Sequence, residues 1–235
     1  MAVWYVIGEL GSLAEHTAPA ELNANIRLEA EFENGSRVAG ESSICRQMQQ
    51  ENCRLRCVKL RPAHPKALPD ALQAIREADL IVLAPGSLYT SIIPNLLVDG
   101  IVEAIKASEA MKVYICNVMT ESGETEGYTV SDHIRALFSH GCYGLFGLCM
   151  VNSAPLPRII AQRYAKEGSA PVFCDEKECA RLGVEIISRP ICAVENQVIR
   201  HNPGHLAAEL IALYRQRTIR VVEDKTGHAR NRMEK

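Results

Sequence analysis

Hydroxyl-bearing side chains fill four of the five positions from Ser87 to Ser91, directly behind Pro85 and Gly86. They stand where an apolar run, Leu80 to Ala84, breaks off, and Pro94 follows where the first turn of a helix tolerates it. A continuously apolar run of that length is a strand buried on both faces of a parallel sheet. Proline lacks an amide proton and glycine accepts unusual backbone angles, so the strand ends there. Hydroxyls and unpaired amides at the carboxyl end of such a strand, just before a helix, suit an anionic ligand. The lysine that a Walker motif sets before its Ser/Thr is missing, so the turn is not a P-loop.

Two further stretches end strands in polar residues. Asn117 to Thr129 is long for a strand-to-helix connection, which usually takes about two to six residues. It carries three threonines, Gly123, Gly127, Tyr128 and glutamates at 121, 124 and 126, a composition suited to a loop that folds over a ligand. The carboxylates repel a bare phosphate and point instead to sugar hydroxyls, or to a phosphate already neutralised by a metal. Thr129 and Asp132 have capping-box spacing, and His133 is either structural or a general base. The third stretch runs from Val151 through Asn152 to Arg158. Arg158 and Arg163 lie five residues apart on one helix, point in different directions, and therefore cannot both face a ligand. In a parallel sheet the carboxyl ends of all strands share one edge, so these three stretches predict a cleft sized for a nucleotide or sugar phosphate.

The elements that position them fall into two parts. Ile26 to Phe32 and Arg37 to Gly40 flank Asn34-Gly35, the strongest short hairpin signal, and Arg54 to Leu60 adds a third strand. From Asp70 onward helices and strands alternate: helices over Asp70–Ala78, Pro94–Ala107, Ser131–His140, Arg158–Lys166, Glu176–Gly183 and Leu206–Arg217, and strands over Leu80–Ala84, Lys112–Val118, Leu145–Asn152, Pro171–Phe173 and Val184–Ser188. That alternation predicts βαβ units and a parallel sheet. The fold class is therefore α/β: a Rossmann-like, three-layer parallel sheet with a small antiparallel hairpin unit near the N-terminus. Residues 1–222 read as a single domain, with 26–60 the antiparallel unit and 70–217 the repeats, and 223–235 as a solvated basic tail.

With 235 residues and a formal charge of −2, the chain can bury a sizeable core and has no electrostatic reason to bind nucleic acid. No apolar run reaches the roughly 18 residues of a membrane span, and the first residues lack a secretory pattern. Nine cysteines, scattered and without zinc spacing, read as reduced thiols of a cytoplasmic protein.

The runs ADLIVLAPGSLYTSIIPNLLV from Ala78 and NVMTESGET from Asn117, with GSRVAGES ending at Ser42, resemble the signatures of the gluconeogenesis-factor family, which is related to 2-phospho-L-lactate transferase. The resemblance runs from about Ile26 to at least Glu167. It implies a Rossmann-like fold and a cytoplasmic regulator that binds UDP-sugars and is needed for growth and cell shape on gluconeogenic carbon. The transferase branch instead moves a phospholactyl group onto a deazaflavin with a divalent metal, so that reading brings Mg²⁺ as cofactor. Carried over by position, the ligand contacts are Gly86, Ser87, Leu88, Tyr89, Thr90, Ser91, Asn117, Met119, Thr120, Gly123, Glu124, Thr125 and Asn152. Tyr128 and Arg163 are the candidates for the base or the sugar diphosphate. No residue is assigned a catalytic role and none a metal. The family's glycine-rich first strand and its Asp-Asp-Gly-Gly segment have no counterpart; Gly8 and Gly11 follow no recognisable strand. The chain thus aligns from near the family's midpoint, and an uncovered sheet edge would favour association between copies.

Overall fold

The computed structural model describes residues 4–7, 26–51 and 53–233; Gly8 and Gly11 lie outside them. A five-stranded parallel sheet forms the centre, in the order β1 (Trp4–Ile7), β5 (Leu80–Leu83), β6 (Met111–Ile115), β7 (Leu148–Asn152) and β8 (Glu185–Arg189). Alternate residues of the central strands enter two separate cores, the pattern expected of strands buried on both faces. Ile81, Leu83, Tyr114, Cys149 and Val151 face one core, which also takes in α2 (Pro69–Glu77), α3 (Ile93–Leu96), α4 (Ile101–Ala107), α5 (Val130–Leu137) and α7 (Glu176–Arg181). Leu80, Val82, Val113, Ile115 and Met150 face the other, closed by Leu210 and Leu213 of α8 (Pro203–Met233). The expected α/β three-layer class is thus what the chain adopts.

The antiparallel unit is also present. β2 (Arg27–Phe32) pairs with β3 (Arg37–Ala39) across the Asn34-Gly35 turn and with β4 (Leu55–Arg61) on its other side. Leu28, Ala30 and Phe32 turn one face of it into the larger core. His140 pins it there: its Nε2 accepts the Val58 amide at 3.1 Å, while Nδ1–H donates to the Ala136 carbonyl at 2.7 Å.

Several expectations need correction. Gly8 and Gly11 are expected to follow no recognisable strand, yet Trp4–Ile7, ending just before Gly8, is a strand that pairs in parallel with β5. The single helix over Pro94–Ala107 is broken: a π-turn over Leu88–Ile92 runs into α3, and Gly100 at φ 92° restarts the chain as α4. That backbone angle favours glycine, so a helix cannot continue through it. Pro171–Phe173 makes only isolated bridges, to Met119 and Thr129, and joins no sheet. Two elements were not anticipated: helix α1 (Glu41–Glu51), and a hairpin of β9 (Cys192–Glu195) and β10 (Val198–His201). The hairpin turns through Asn196 and Gln197, both at positive φ; Gln gives no turn signal of the Asn-Gly kind. Backbone helix runs on to Met233 through the segment expected to be a solvated tail.

Candidate functional site

The carboxyl ends of β5 and β6 frame a cleft of about 1010 Å³. Pro85, Gly86 and Ser87 form one wall, and Asn117 to Ser122 the next. The far side is made by Tyr164 and Glu167, on or just beyond α6 (Arg158–Lys166), with Ser169, Glu195, Ile199, Arg200, His201 and Pro203.

Two glutamates, Glu124 buried and Glu121 part-buried, hold the two walls together. Glu124, 5 % exposed, accepts the backbone amides of Leu88 and Tyr89, each at 3.1 Å. Those amides sit at the start of a helical segment, where no intrahelical partner exists, so a carboxylate from another loop satisfies them. Glu121 accepts the Ser87 hydroxyl at 2.7 Å and the Asn117 side-chain amide at 3.1 Å. The same Asn117 amide donates to the Gly86 carbonyl at 3.0 Å, which fixes the orientation of the side chain and leaves Oδ1 a buried acceptor without a partner among the described residues. The Glu121 amide donates to Thr125 Oγ1 at 2.9 Å. Burial, reinforced by the neighbouring Glu121 and only partly offset by the Tyr89 and Leu88 amides, pushes the Glu124 carboxyl up to about 8.

The second stretch is not a free flap. The Thr120 amide donates to the Ala170 carbonyl at 2.7 Å and Thr120 Oγ1 accepts the Ala170 amide at 2.9 Å; the Val172 amide reaches the Val118 carbonyl at 3.0 Å. Residues 168–173 thus strap the loop down from outside. Its far end is the N-cap of α5, where Thr129 and Asp132 form the expected capping box. His133 is fully buried, its Nδ1–H donating to the Thr129 carbonyl at 2.8 Å, which suits structure better than catalysis.

The family profile of 2-phospho-L-lactate transferase CofD matches residues 8–192. The chain belongs to the CofD family. Among its relatives, this family member is 45 % identical over 189 residues to the gluconeogenesis factor of Halalkalibacterium halodurans, covering 80 % of the chain and 58 % of the relative. It is 44 % identical over 194 residues to that of Bacillus subtilis, covering 83 % and 60 %. A crystal structure of a UPF0052-family protein from Bacillus halodurans superposes with a TM-score of 0.74 at 45 % identity, over 79 % of this chain and 59 % of that one. The chain therefore spans somewhat under two thirds of the length of these relatives.

Within this CofD-family fold the anticipated residues divide into three groups. Gly86, Ser87, Asn117, Met119 and Thr120 line the cleft together. Leu88 and Thr125 are wholly buried and Tyr89 is 3 % exposed, so these side chains pack in the core beneath the walls. Glu124 is likewise turned inward onto the amides, with Thr90 Oγ1 at 3.5 Å from its Oε1. Tyr128 meets Tyr89, hydroxyl to hydroxyl at 2.9 Å, and does not line the cleft. Ser91 and Gly123, both half-buried, are not part of the lining. Asn152 lies in an adjoining hollow of about 290 Å³, which it shares with Asn117 and Val118. Arg163 is held by the Gln197 carbonyl of the β9–β10 turn; Tyr164, the next residue round the helix, faces the cleft instead. The sequence reading missed Tyr164, Arg200 and His201. They come from α6 and the hairpin, and the Tyr164 hydroxyl, accepting the Ile199 amide at 3.2 Å, joins the Arg163 contact in tying those two elements together.

The charges around the cleft are unbalanced. Glu121, Glu167 and Glu195 line it against Arg200, and His201 adds no charge at neutral pH, because burial lowers its pKa and the Cys116 carbonyl only partly compensates. Among the described residues no group of three His, Cys, Asp or Glu side chains is placed to hold a metal. Eight of the nine cysteines, from Cys53 to Cys192, are free thiols, and no helix among the described residues is long and apolar enough to cross a membrane.

Proposed function

We propose that the cleft binds a nucleotide-activated sugar, with UDP-sugars as first choice, and that the chain acts as a cytoplasmic regulator of growth and cell shape on gluconeogenic carbon rather than as a catalyst. One observation carries this reading: polar groups at the ends of two adjacent parallel strands, Ser87 and Asn117, converge on a single hollow with Arg200 opposite. That is where open α/β sheets take nucleotides. Met119 and Tyr164 offer apolar surface for a base, Ser87, Asn117 and Thr120 offer hydrogen bonds for sugar hydroxyls, and Arg200 offers a bidentate partner for a diphosphate. The names of the relatives favour the regulatory role. A ligand that binds the folded chain alone raises its melting temperature. UDP-N-acetylglucosamine or UDP-glucose at millimolar concentration should therefore raise Tm and be recovered unchanged. An unmoved Tm with both sugars argues against the reading.

The name of the matching family profile favours a second reading, a phospholactyl transfer that would take Mg²⁺. Two acids near the cleft are already engaged and offer that ion little: Glu121 by Ser87 and Asn117, and Glu124 by two backbone amides. Incubation with a guanylated phospholactate donor, a deazaflavin acceptor and Mg²⁺ separates the readings, since only the second yields product.

A further inference from the structure

We propose that the outer face of the β2–β3–β4 sheet is a docking surface for an acidic, extended segment of another protein. This role is separate from the cleft and independent of what binds there.

Strand alternation divides the sheet into two unlike faces. Leu28, Ala30 and Phe32 of β2, with Val58 and Leu60 of β4, turn inward to the larger core. Arg27, Glu29 and Glu31 of β2, with Lys59 and Arg61 of β4, therefore turn outward, and Arg37 of β3 and Arg56 of β4 meet Glu31 on that side. Five exposed cations thus share two carboxylates, in a chain whose formal charge is −2.

Their pairing leaves positive charge over. Glu31 alone receives Arg37 at 3.1 Å, Arg56 at 3.3 Å and Lys59 at 3.8 Å, while Arg61 reaches Glu29 at 2.8 Å. Arg27 stands directly opposite Arg61 in the β2–β4 ladder and has no ion-pair partner among the described residues. Like charges facing each other across two strands are unfavourable, and cations gathered on one carboxylate also repel each other. Carboxylates brought by a partner would relieve both repulsions.

The spacing of the face matches an extended chain. Side chains on one side of a strand repeat every two residues, ~7 Å, which is the separation of Glu29 from Glu31. Alternate acidic residues of a segment laid along β2 would fall at the same interval among Arg27, Lys59 and Arg61. Among the described residues, this face exposes no aromatic ring on which a base could stack and no large apolar side chain to enter a lipid layer. A protein segment fits it better than a nucleic acid or a membrane.

The test is fluorescence anisotropy of the full chain with labelled octaglutamate at low ionic strength. Octaglutamine, a labelled eight-residue oligothymidylate and phosphatidylserine vesicles are run beside it. Octaglutamate should bind and be released as salt rises to about 0.3 M, where exposed charges are screened. Arg27→Gln, Arg56→Gln and Lys59→Gln combined should weaken it about tenfold. Arg158→Gln, Lys177→Gln and Arg181→Gln combined remove the same charge elsewhere on the surface and should leave it unchanged. Glu31→Gln releases three cations from their shared carboxylate and should tighten binding, an effect that a purely structural role for the ion pairs would not produce. No octaglutamate binding, equal binding of octaglutamine, equal loss in the two triple variants, or weakened binding by Glu31→Gln overturns the inference. Tighter binding of the oligothymidylate or the vesicles than of octaglutamate overturns it as well.

Discussion

Replacing Glu124 by alanine should destabilise the fold by an amount that shrinks as pH rises. The substitution leaves the Leu88 and Tyr89 amides, both buried, without an acceptor. Unsatisfied buried amides cost about 1–3 kcal/mol each, so near pH 5 the variant should lose several kcal/mol. Wild type, however, carries an acid whose value rises on folding from 4.5 to about 8. For a raised acid the favourable contribution is complete below the unfolded value and disappears as pH climbs to the folded one. At about 1.4 kcal/mol per pH unit, wild type gives up on the order of 5 kcal/mol across that window, and the variant gives up none of it. The difference between the two proteins should therefore fall steadily from pH 5 to pH 9 and approach zero, or change sign, at the upper end. Urea unfolding of both proteins at pH 5, 7 and 9 measures it, and taking the difference cancels the histidines and cysteines common to both. A gap that stays constant or widens with pH would refute the argument that Glu124 is held protonated in the folded chain.

Other predictions are more local. Arg200→Ala should weaken UDP-glucose binding about ten- to hundredfold, the range for losing a charge-assisted hydrogen bond, with Tm in the absence of ligand unchanged because the residue is exposed. Gly168 sits at φ 78°, and an added Cβ would come within 2.8 Å of Ser122 Oγ. Gly168→Ala should cost about 1–2 kcal/mol by thermal unfolding and loosen the strap over the loop; hydrogen exchange at Thr120 should quicken with it. Burial depresses His140 below its ordinary value, so its contribution is present above pH 6.5 and lost as pH falls through the depressed value. On acidification the Val58 amide, which His140 accepts, should exchange earlier than its neighbours in β4.

How much of this could be read from residues depended on the range of the interaction. Strand β5 is legible because four consecutive apolar residues, Leu80 to Leu83, are all buried. The turn after it is legible because Pro85 and Gly86 act through their own backbone, and the cap of α5 because Thr129 and Asp132 are three residues apart. The sorting of candidates into lining and core was not legible. Nothing local distinguishes Ser87, whose hydroxyl reaches Glu121 at the cleft, from Tyr89, whose hydroxyl reaches Tyr128 behind it. Nor did spacing separate Arg163 from Tyr164, since which side of a helix faces a site depends on where the helix is docked. Arg200 and His201 escaped because their hairpin turns on Asn196 and Gln197 without glycine. The break at Gly100 was hidden by the apolar residues on either side of it.

Photo-crosslinking with an azidouridine analogue of UDP-glucose, followed by peptide mapping, tests most directly whether the hollow between β5, β6 and the β9–β10 hairpin is a nucleotide-sugar site. The account predicts saturable labelling that unmodified UDP-glucose competes away, concentrated in peptides containing Tyr164, Met119 or Arg200. Competed labelling confined to the opposite edge of the sheet, around Arg76 and Tyr214, or no competed labelling at all, would contradict it.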